Sequence, residues 1–264
     1  MGNESVNILI GGEAGQGLQT VGPIFTKSLM RSGFSVHVTQ TYESRVRAGH
    51  NTFAIRFGRE KVLAPHEEMD ILIALNEETI DFHRKEISPT GFIIGNATWK
   101  RNGKNWIGVP LKEFGKEIYW NTALMGMATS LLGLDKQVVA GVIKDSLGKE
   151  KCEENLEVLE KNYHWPEGQS YKWEKLSSIS NRPRRLLLNG HEAVALGAIS
   201  AGLKFCAFYP MSPSTSIAQT MIEWAKEMDL VVVQAEDEIA AIGMAVGAGW
   251  GGLRPCDPCP GLFP

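Results

Sequence analysis

An α/β fold is the expectation for this chain. Short β-branched runs alternate with helix-compatible stretches, a glycine-rich turn follows the first run, and the alternation restarts after a polar, proline-bearing interval. Repeated strands with intervening helices are most simply buried as a sheet covered on both faces.

Residues 6–10 form the first apolar run, which ends in Gly11-Gly12-Glu13-Ala14-Gly15-Gln16-Gly17 and leads into a helical pattern over 18–31. Strands are expected at 35–39, 53–57, 69–75, 91–94 and 106–110. A charged surface helix fits 77–86, and helices fit 121–133 and 135–147. Charged helix fragments follow from 149, and the first domain is placed at 1–165.

The stretch 166–185 is polar and contains Pro166 and Pro183, so it is expected to be a linker. A second α/β unit then occupies 186–264. Its pattern reads as a tightly packed small-residue helix over 192–202, a strand at 205–209, a helix at 214–228, a strand at 230–234 and an Ala/Gly-rich helix at 236–249.

At 264 residues the chain exceeds the usual size of one core, and 43% apolar with 22% charged residues is ordinary globular composition. A net charge of −3 gives no cationic surface of the kind that binds nucleic acid. No apolar stretch approaches the roughly 20 residues needed to span a bilayer, and no signal-peptide pattern opens the chain, so the cytoplasm is the expected location. Of four cysteines, Cys152 and Cys206 are isolated and are expected to be inert thiols.

The glycine turn lies between strand and helix, where backbone amides can hold an anion. It is not the dinucleotide fingerprint G-x-G-x-x-G, and the second strand ends in Thr39-Gln40-Thr41 without the carboxylate that a ribose requires. A structural tight turn and an anion or coenzyme contact both remain open, with Gly12, Gly15, Gln16 and Gly17 as candidate cofactor contacts. Downstream, Ser44-Arg45-Val46-Arg47-Ala48-Gly49-His50-Asn51 gathers two cations after a strand, which makes Arg47 a further candidate. Taken together, the G-G-x-x-G-Q-G and S-R-V-R-x-G-H-N segments resemble the gamma domain of 2-oxoacid:ferredoxin oxidoreductases.

The second unit strengthens that resemblance. Tyr209-Pro210-Met211-Ser212-Pro213-Ser214-Thr215-Ser216 is similar to the family's Y-P-x-T/S-P-S-T/S loop. Two prolines stiffen the turn while hydroxyls and helix-start amides converge, an arrangement suited to a carboxylate; a plain helix cap by Ser212 or Ser214 is the alternative. Tyr209, Pro210, Ser212, Ser214 and Thr215 are therefore the candidate substrate contacts.

Glu236-Asp237-Glu238 then opens the Ala/Gly helix, where the helix dipole alone favours acidic residues. The resemblance places the family's thiamine-activating glutamate at Glu238, with Glu236 as competitor. A carboxyl group in a partly desolvated crevice can hydrogen-bond the aminopyrimidine ring and favour the imino tautomer that removes the thiazolium C2 proton.

The resemblance implies a gamma-type domain fused to the start of an alpha subunit with a thiamine-diphosphate pyrimidine-type α/β domain. The implied reaction is CoA-dependent oxidative decarboxylation of a 2-oxoacid such as 2-oxoglutarate, with electrons passed to ferredoxin. Thiamine diphosphate would be shared with a beta subunit, which would also hold Mg2+ and an iron–sulfur cluster, so a hetro-oligomer inactive without that partner is expected. From about residue 250 the family pattern stops, and Cys256-Asp257-Pro258-Cys259 lies in a tail that has the look of a reading-frame slip; an interrupted alpha subunit is the expectation. A non-catalytic coenzyme-binding or assembly module is the alternative function, and a nicotinamide dehydrogenase is the weakest.

Overall fold

Alternation of buried Val6, Ile8 and Ile10 along the first strand forces one face of that strand toward a core, and the next helix supplies the cover. The computed structural model describes residues 5–41, 49–99, 101, 103, 105–168, 176, 179, 185–212 and 214–256. By internal contacts the chain divides into two units, Met1–Arg185 and Leu186–Pro264. Arg47, most of the stretch 166–185, Pro213 and the tail with Cys259 lie outside the described residues.

The first unit is built on a six-stranded sheet of β1 (Ser5–Glu13), β2 (Ser35–Thr41), β3 (His50–Gly58), β4 (Met69–Ala74), β5 (Ile87–Asn96) and β6 (Trp106–Val109), in the order β2-β3-β1-β4-β5-β6. β1, β4, β5 and β6 run parallel, whereas β3 is antiparallel to both β1 and β2. β2 and β3 pair antiparallel, as successive strands of a hairpin do and parallel crossover strands do not. The end of β2 is therefore separated from the glycine turn by β3. The second strand's missing carboxylate thus has no bearing on a ligand at that turn.

One face of this sheet carries the main core. α1 (Leu18–Arg31) lays Val21, Phe25 and Leu29 onto Ile8, Ile10, Ile55 and Phe57. α4 (Trp120–Leu132) is buried along nearly its whole length, beside α5 (Lys136–Ser146) and the short α3 (Leu111–Phe114). Each fully buried Ile, Leu or Phe side chain contributes about 1.5–3 kcal/mol, so a core of this size dominates the unit's stability. Among the described residues the opposite face holds a small cluster around Leu9, Met69 and Leu72, next to α2 (Glu77–His83). The two faces are thus covered very unequally.

α6 (Lys149–Tyr163) replaces the charged fragments expected after residue 149 with one continuous helix. Its buried residues Asn155, Val158, Leu159 and Asn162 recur at helical spacing and pack on α4. The stripe is hard to read in the sequence because two of its members are polar. Each reaches α4 with one end of its amide: Thr122 Oγ1 donates to Asn155 Oδ1, and Asn162 Nδ2 donates to the Ala123 carbonyl, while Asn155 Nδ2 donates to the Lys151 carbonyl of α6 itself. Within the expected linker, Leu176 and Ile179 pack against this same core, and their amides donate to the carbonyls of Leu132 and Ser32.

The second unit is a three-stranded parallel sheet in the order β8-β7-β9, from β7 (Phe205–Phe208), β8 (Val231–Gln234) and β9 (Pro255–Cys256). α7 (Gly190–Ser200) and α8 (Thr215–Trp224) close over Leu203, Cys206, Met221 and Leu230. α9 (Glu238–Trp250) packs through Ala241 against Ala207 and Ala235. β9 was not anticipated, because a two-residue strand in a Pro/Gly-rich tail has no periodicity to detect.

The small-residue helices are less enclosed than expected. α7 buries only Ala195, and Ile239, Val246 and Trp250 of α9 are 83%, 55% and 91% exposed. Those three share one helix face, leaving an apolar stripe uncovered among the described residues. No helix of the described residues is long and apolar enough to cross a membrane.

Candidate functional site

The glycine turn joins β1 to α1 through Gly17, the helix N-cap, which sits in left-handed backbone at φ 77°. A side chain there would strain the backbone and land on the Asn121 carboxamide, so glycine is required by both conformation and space. Asn121, at the start of α4, donates from Nδ2 to the Gln16 carbonyl at 3.3 Å. Gln16 turns its own side chain inward: Oε1 accepts the Glu13 N–H at 2.8 Å. Gly12 lies under that side chain, where a Cβ would meet Gln16 Oε1 and Leu75. Gly12 and Gln16 therefore shape the turn, while Gly15, Gln16 and Gly17 line the space above it.

That space is a cleft of about 640 Å³ at the carboxyl ends of β1, β4 and β5, where open parallel sheets bind ligands. Its walls include Asn76, Asn96, Trp99, Trp120, Asn121 and Lys151. Asn76 is engaged as the N-cap of α2, accepting the Thr79 N–H at 3.1 Å, and its Nδ2 donates to Glu13 Oε1 at 3.2 Å. The aromatic pair and Lys151 come from regions without a recognisable motif, and only the fold brings them to the turn. His50, paired with Glu13 across the β1–β3 register, places the end of the S-R-V-R-x-G-H-N segment beside the same turn.

In the second unit the two motifs emerge from neighbouring parallel strands. The Tyr209 to Thr215 segment leaves the carboxyl end of β7, and Glu236-Asp237-Glu238 follows the adjacent end of β8. The Ala235 N–H donates to the Phe208 carbonyl at 2.8 Å, holding the two exits together. The Met211 carbonyl gathers the Ser214 hydroxyl at 2.8 Å, the Thr215 hydroxyl at 3.0 Å and the Thr215 N–H at 3.1 Å. Ser214 and Thr215 thus hold the turn from within, and neither hydroxyl caps α8. Tyr209 is half-buried, and Pro210 and Ser212 are exposed.

The three acids divide their work. Asp237 is the N-cap of α9, its Oδ1 accepting the Ala240 N–H at 2.7 Å. Glu236 is exposed, whereas Glu238, the first residue of the helix, is half-buried.

Comparison with known proteins follows this layout. Residues 7–165 match the family model described as pyruvate ferredoxin/flavodoxin oxidoreductase, and residues 196–256 match its thiamine-diphosphate-binding domain model. The chain is 24% identical to a 2-oxoacid:ferredoxin oxidoreductase subunit alpha from Sulfolobus sp, over 93% of this chain and 48% of that protein. Over 67 residues it is 49% identical to the 2-oxoglutarate synthase subunit KorA of Methanothermobacter marburgensis, covering 25% of this chain and 18% of that one. In fold it resembles 2-oxoglutarate:ferredoxin oxidoreductase from Magnetococcus marinus, solved with 2-oxoglutarate, coenzyme A and succinyl-CoA bound. That match has a TM-score of 0.84 at 23% identity, over 97% of this chain and 47% of the other. The chain spans about half the length of the full-length relatives it matches. With one family model covering more than half of the sequence and its companion domain following in order, the chain belongs to the pyruvate ferredoxin/flavodoxin oxidoreductase family.

Proposed function

We propose that this chain serves as a subunit of a 2-oxoacid:ferredoxin oxidoreductase, with its second unit contributing Glu238 to a thiamine diphosphate shared with a beta subunit. The observation that carries the proposal is the placement of Glu238 beside the Tyr209 to Thr215 turn, at adjacent carboxyl ends of β7 and β8. Glu238 suits the cofactor's aminopyrimidine because it is half-buried and, among the described residues, makes no hydrogen bond or ion pair. Asp237 takes the capping duty that would otherwise occupy it.

Bound there, thiamine diphosphate supplies the carbanion chemistry needed to decarboxylate a 2-oxoacid. The chain's own part is to hold a carboxyl proton at Glu238 against a ring nitrogen and to orient the substrate carboxylate. Tyr209 and Ser212 are the hydroxyls of the turn not bonded to Met211, so they are assigned to that carboxylate, with Pro210, Ser214 and Thr215 fixing the turn's shape. The first unit's cleft, with Gly15, Gln16, Gly17, Lys151 and aromatic walls, is assigned to coenzyme A, and Arg47, which lies outside the described residues, to the same ligand.

Mg2+ and the iron–sulfur cluster are assigned to the beta subunit, and ferredoxin to the assembled complex. The uncovered Ile239, Val246 and Trp250 stripe supports a hetero-oligomer, since apolar patches of this kind mark interaction surfaces. The test is co-purification with the beta subunit, followed by assays for thiamine diphosphate binding and for 2-oxoglutarate- and CoA-dependent reduction of a viologen. Cofactor binding that is lost in Glu238→Gln supports the proposal. A complex that assembles but binds no thiamine diphosphate replaces it with a non-catalytic assembly module.

A further inference from the structure

On the sparsely covered face of the first unit lies a second pocket, of about 430 Å³, between α2, the start of β5 and the start of β6. Two of its wall groups are buried donors without a partner: the hydroxyl of Ser88 and the Nε–H of Arg101. Ser88 is only 9% exposed, so its hydroxyl has surrendered solvent without gaining a hydrogen bond, a state that costs about 1–3 kcal/mol unless a ligand or water meets it. Arg101 is oriented from behind, where Nη2 contacts Glu77 Oε1 at 3.0 Å and Asp81 Oδ1 at 3.1 Å. Its Nε edge remains for the pocket. Arg84 is a second cation on the wall, Asn105 adds a carboxamide, and among the described residues no carboxylate lines the pocket.

We propose that this pocket is an oxyanion-binding site, in which a carboxylate or phosphate group accepts from Arg101 Nε–H and the Ser88 hydroxyl and is balanced by the Arg84 charge. Charge-assisted bonds of this type are about twice as strong as neutral ones, and a planar guanidinium edge presents them in fixed geometry. The site is distinct from the cleft, although Glu77 touches both: it lines the cleft and holds Arg101.

The full chain is titrated with inorganic phosphate and, separately, with acetate, while the Arg101 Nε–H resonance and the melting temperature are followed. A saturable shift of that resonance with a rise in melting temperature is expected. The arm that saturates names the group: phosphate, carboxylate or either. Ser88→Ala and Arg101→Lys should each weaken binding about tenfold. In anion-free buffer Ser88→Ala should melt no lower than wild type, because it deletes an unpartnered hydroxyl; a lower melting temperature would show that the hydroxyl is structural and overturn the proposal. It is equally overturned if neither anion shifts Arg101, or if the phosphate effect survives Ser88→Ala and Arg101→Lys but is lost in Asn121→Ala, which places the anion in the cleft.

Discussion

Asp237 Oδ1 accepts the Ala240 N–H at 2.7 Å, and that one bond separates the structural acid of the α9 entrance from the acid next to it, Glu238. The two should respond oppositely to substitution. Asp237→Ala is expected to lower stability by about 1 kcal/mol through loss of the cap. Glu238→Gln should leave melting unchanged while removing thiamine diphosphate binding in the complex. Isothermal titration and thermal melts of both variants check this, and unchanged cofactor binding in Glu238→Gln sinks the assignment.

Asn121 and Gln16 are 105 positions apart yet joined by a hydrogen bond that steadies the glycine turn. Asn121→Ala should weaken coenzyme A binding with little loss of stability. Gly17→Ala should cost about 1–3 kcal/mol, because it strains left-handed backbone and displaces Asn121. Coenzyme A titrations and urea midpoints distinguish these outcomes; an Asn121→Ala chain that binds like wild type removes the cleft as the ligand's place.

Leu159 is 1% exposed where α6 meets α4. Leu159→Ala should therefore destabilise the first unit by about 2–5 kcal/mol. A charged, detachable helix would instead tolerate the change, and a urea unfolding curve decides between them.

Asp70 is buried, and desolvation raises its pKa above the ordinary carboxylate value, although the Asn7 N–H donating to Oδ2 at 2.8 Å works the other way. A raised folded pKa means that the group's contribution is fully present below the unfolded value, about 3.9, and is lost as pH rises through the folded one. Asp70→Asn removes that titration, so its stability relative to wild type should improve on going from pH 3.5 to pH 7, on the order of one carboxylate's titration. Urea midpoints at both pH values test this; an Asp70→Asn variant that loses stability relative to wild type as pH rises contradicts the sign.

Much of this protein was legible in the chain itself, because local chemistry carries its own punctuation. The glycine turn, the strand at 69–74, the helix Leu18–Arg31 and the order of the two units follow from period, turn residues and composition. The family resemblance also rests on residues close together in sequence, which need no tertiary knowledge to recognise. What remained hidden was whatever depends on partners distant along the chain. The antiparallel insertion of β3 between β1 and β2 is set by register across the sheet, and no local pattern reports the neighbour a strand will choose. α6 reads as charged fragments because Asn155 and Asn162 interrupt its apolar stripe, and only packing on α4 supplies the hydrogen bonds that let these side chains be buried there. The same holds at the site: three adjacent acids look alike in sequence, and the direction of the chain entering α9 makes Asp237 the cap and leaves Glu238 half-buried. Residue type thus determined which chemistry was on offer. Tertiary structure decided which of those groups was already spent on holding the fold, because a hydrogen bond made inside the protein is not available to a ligand.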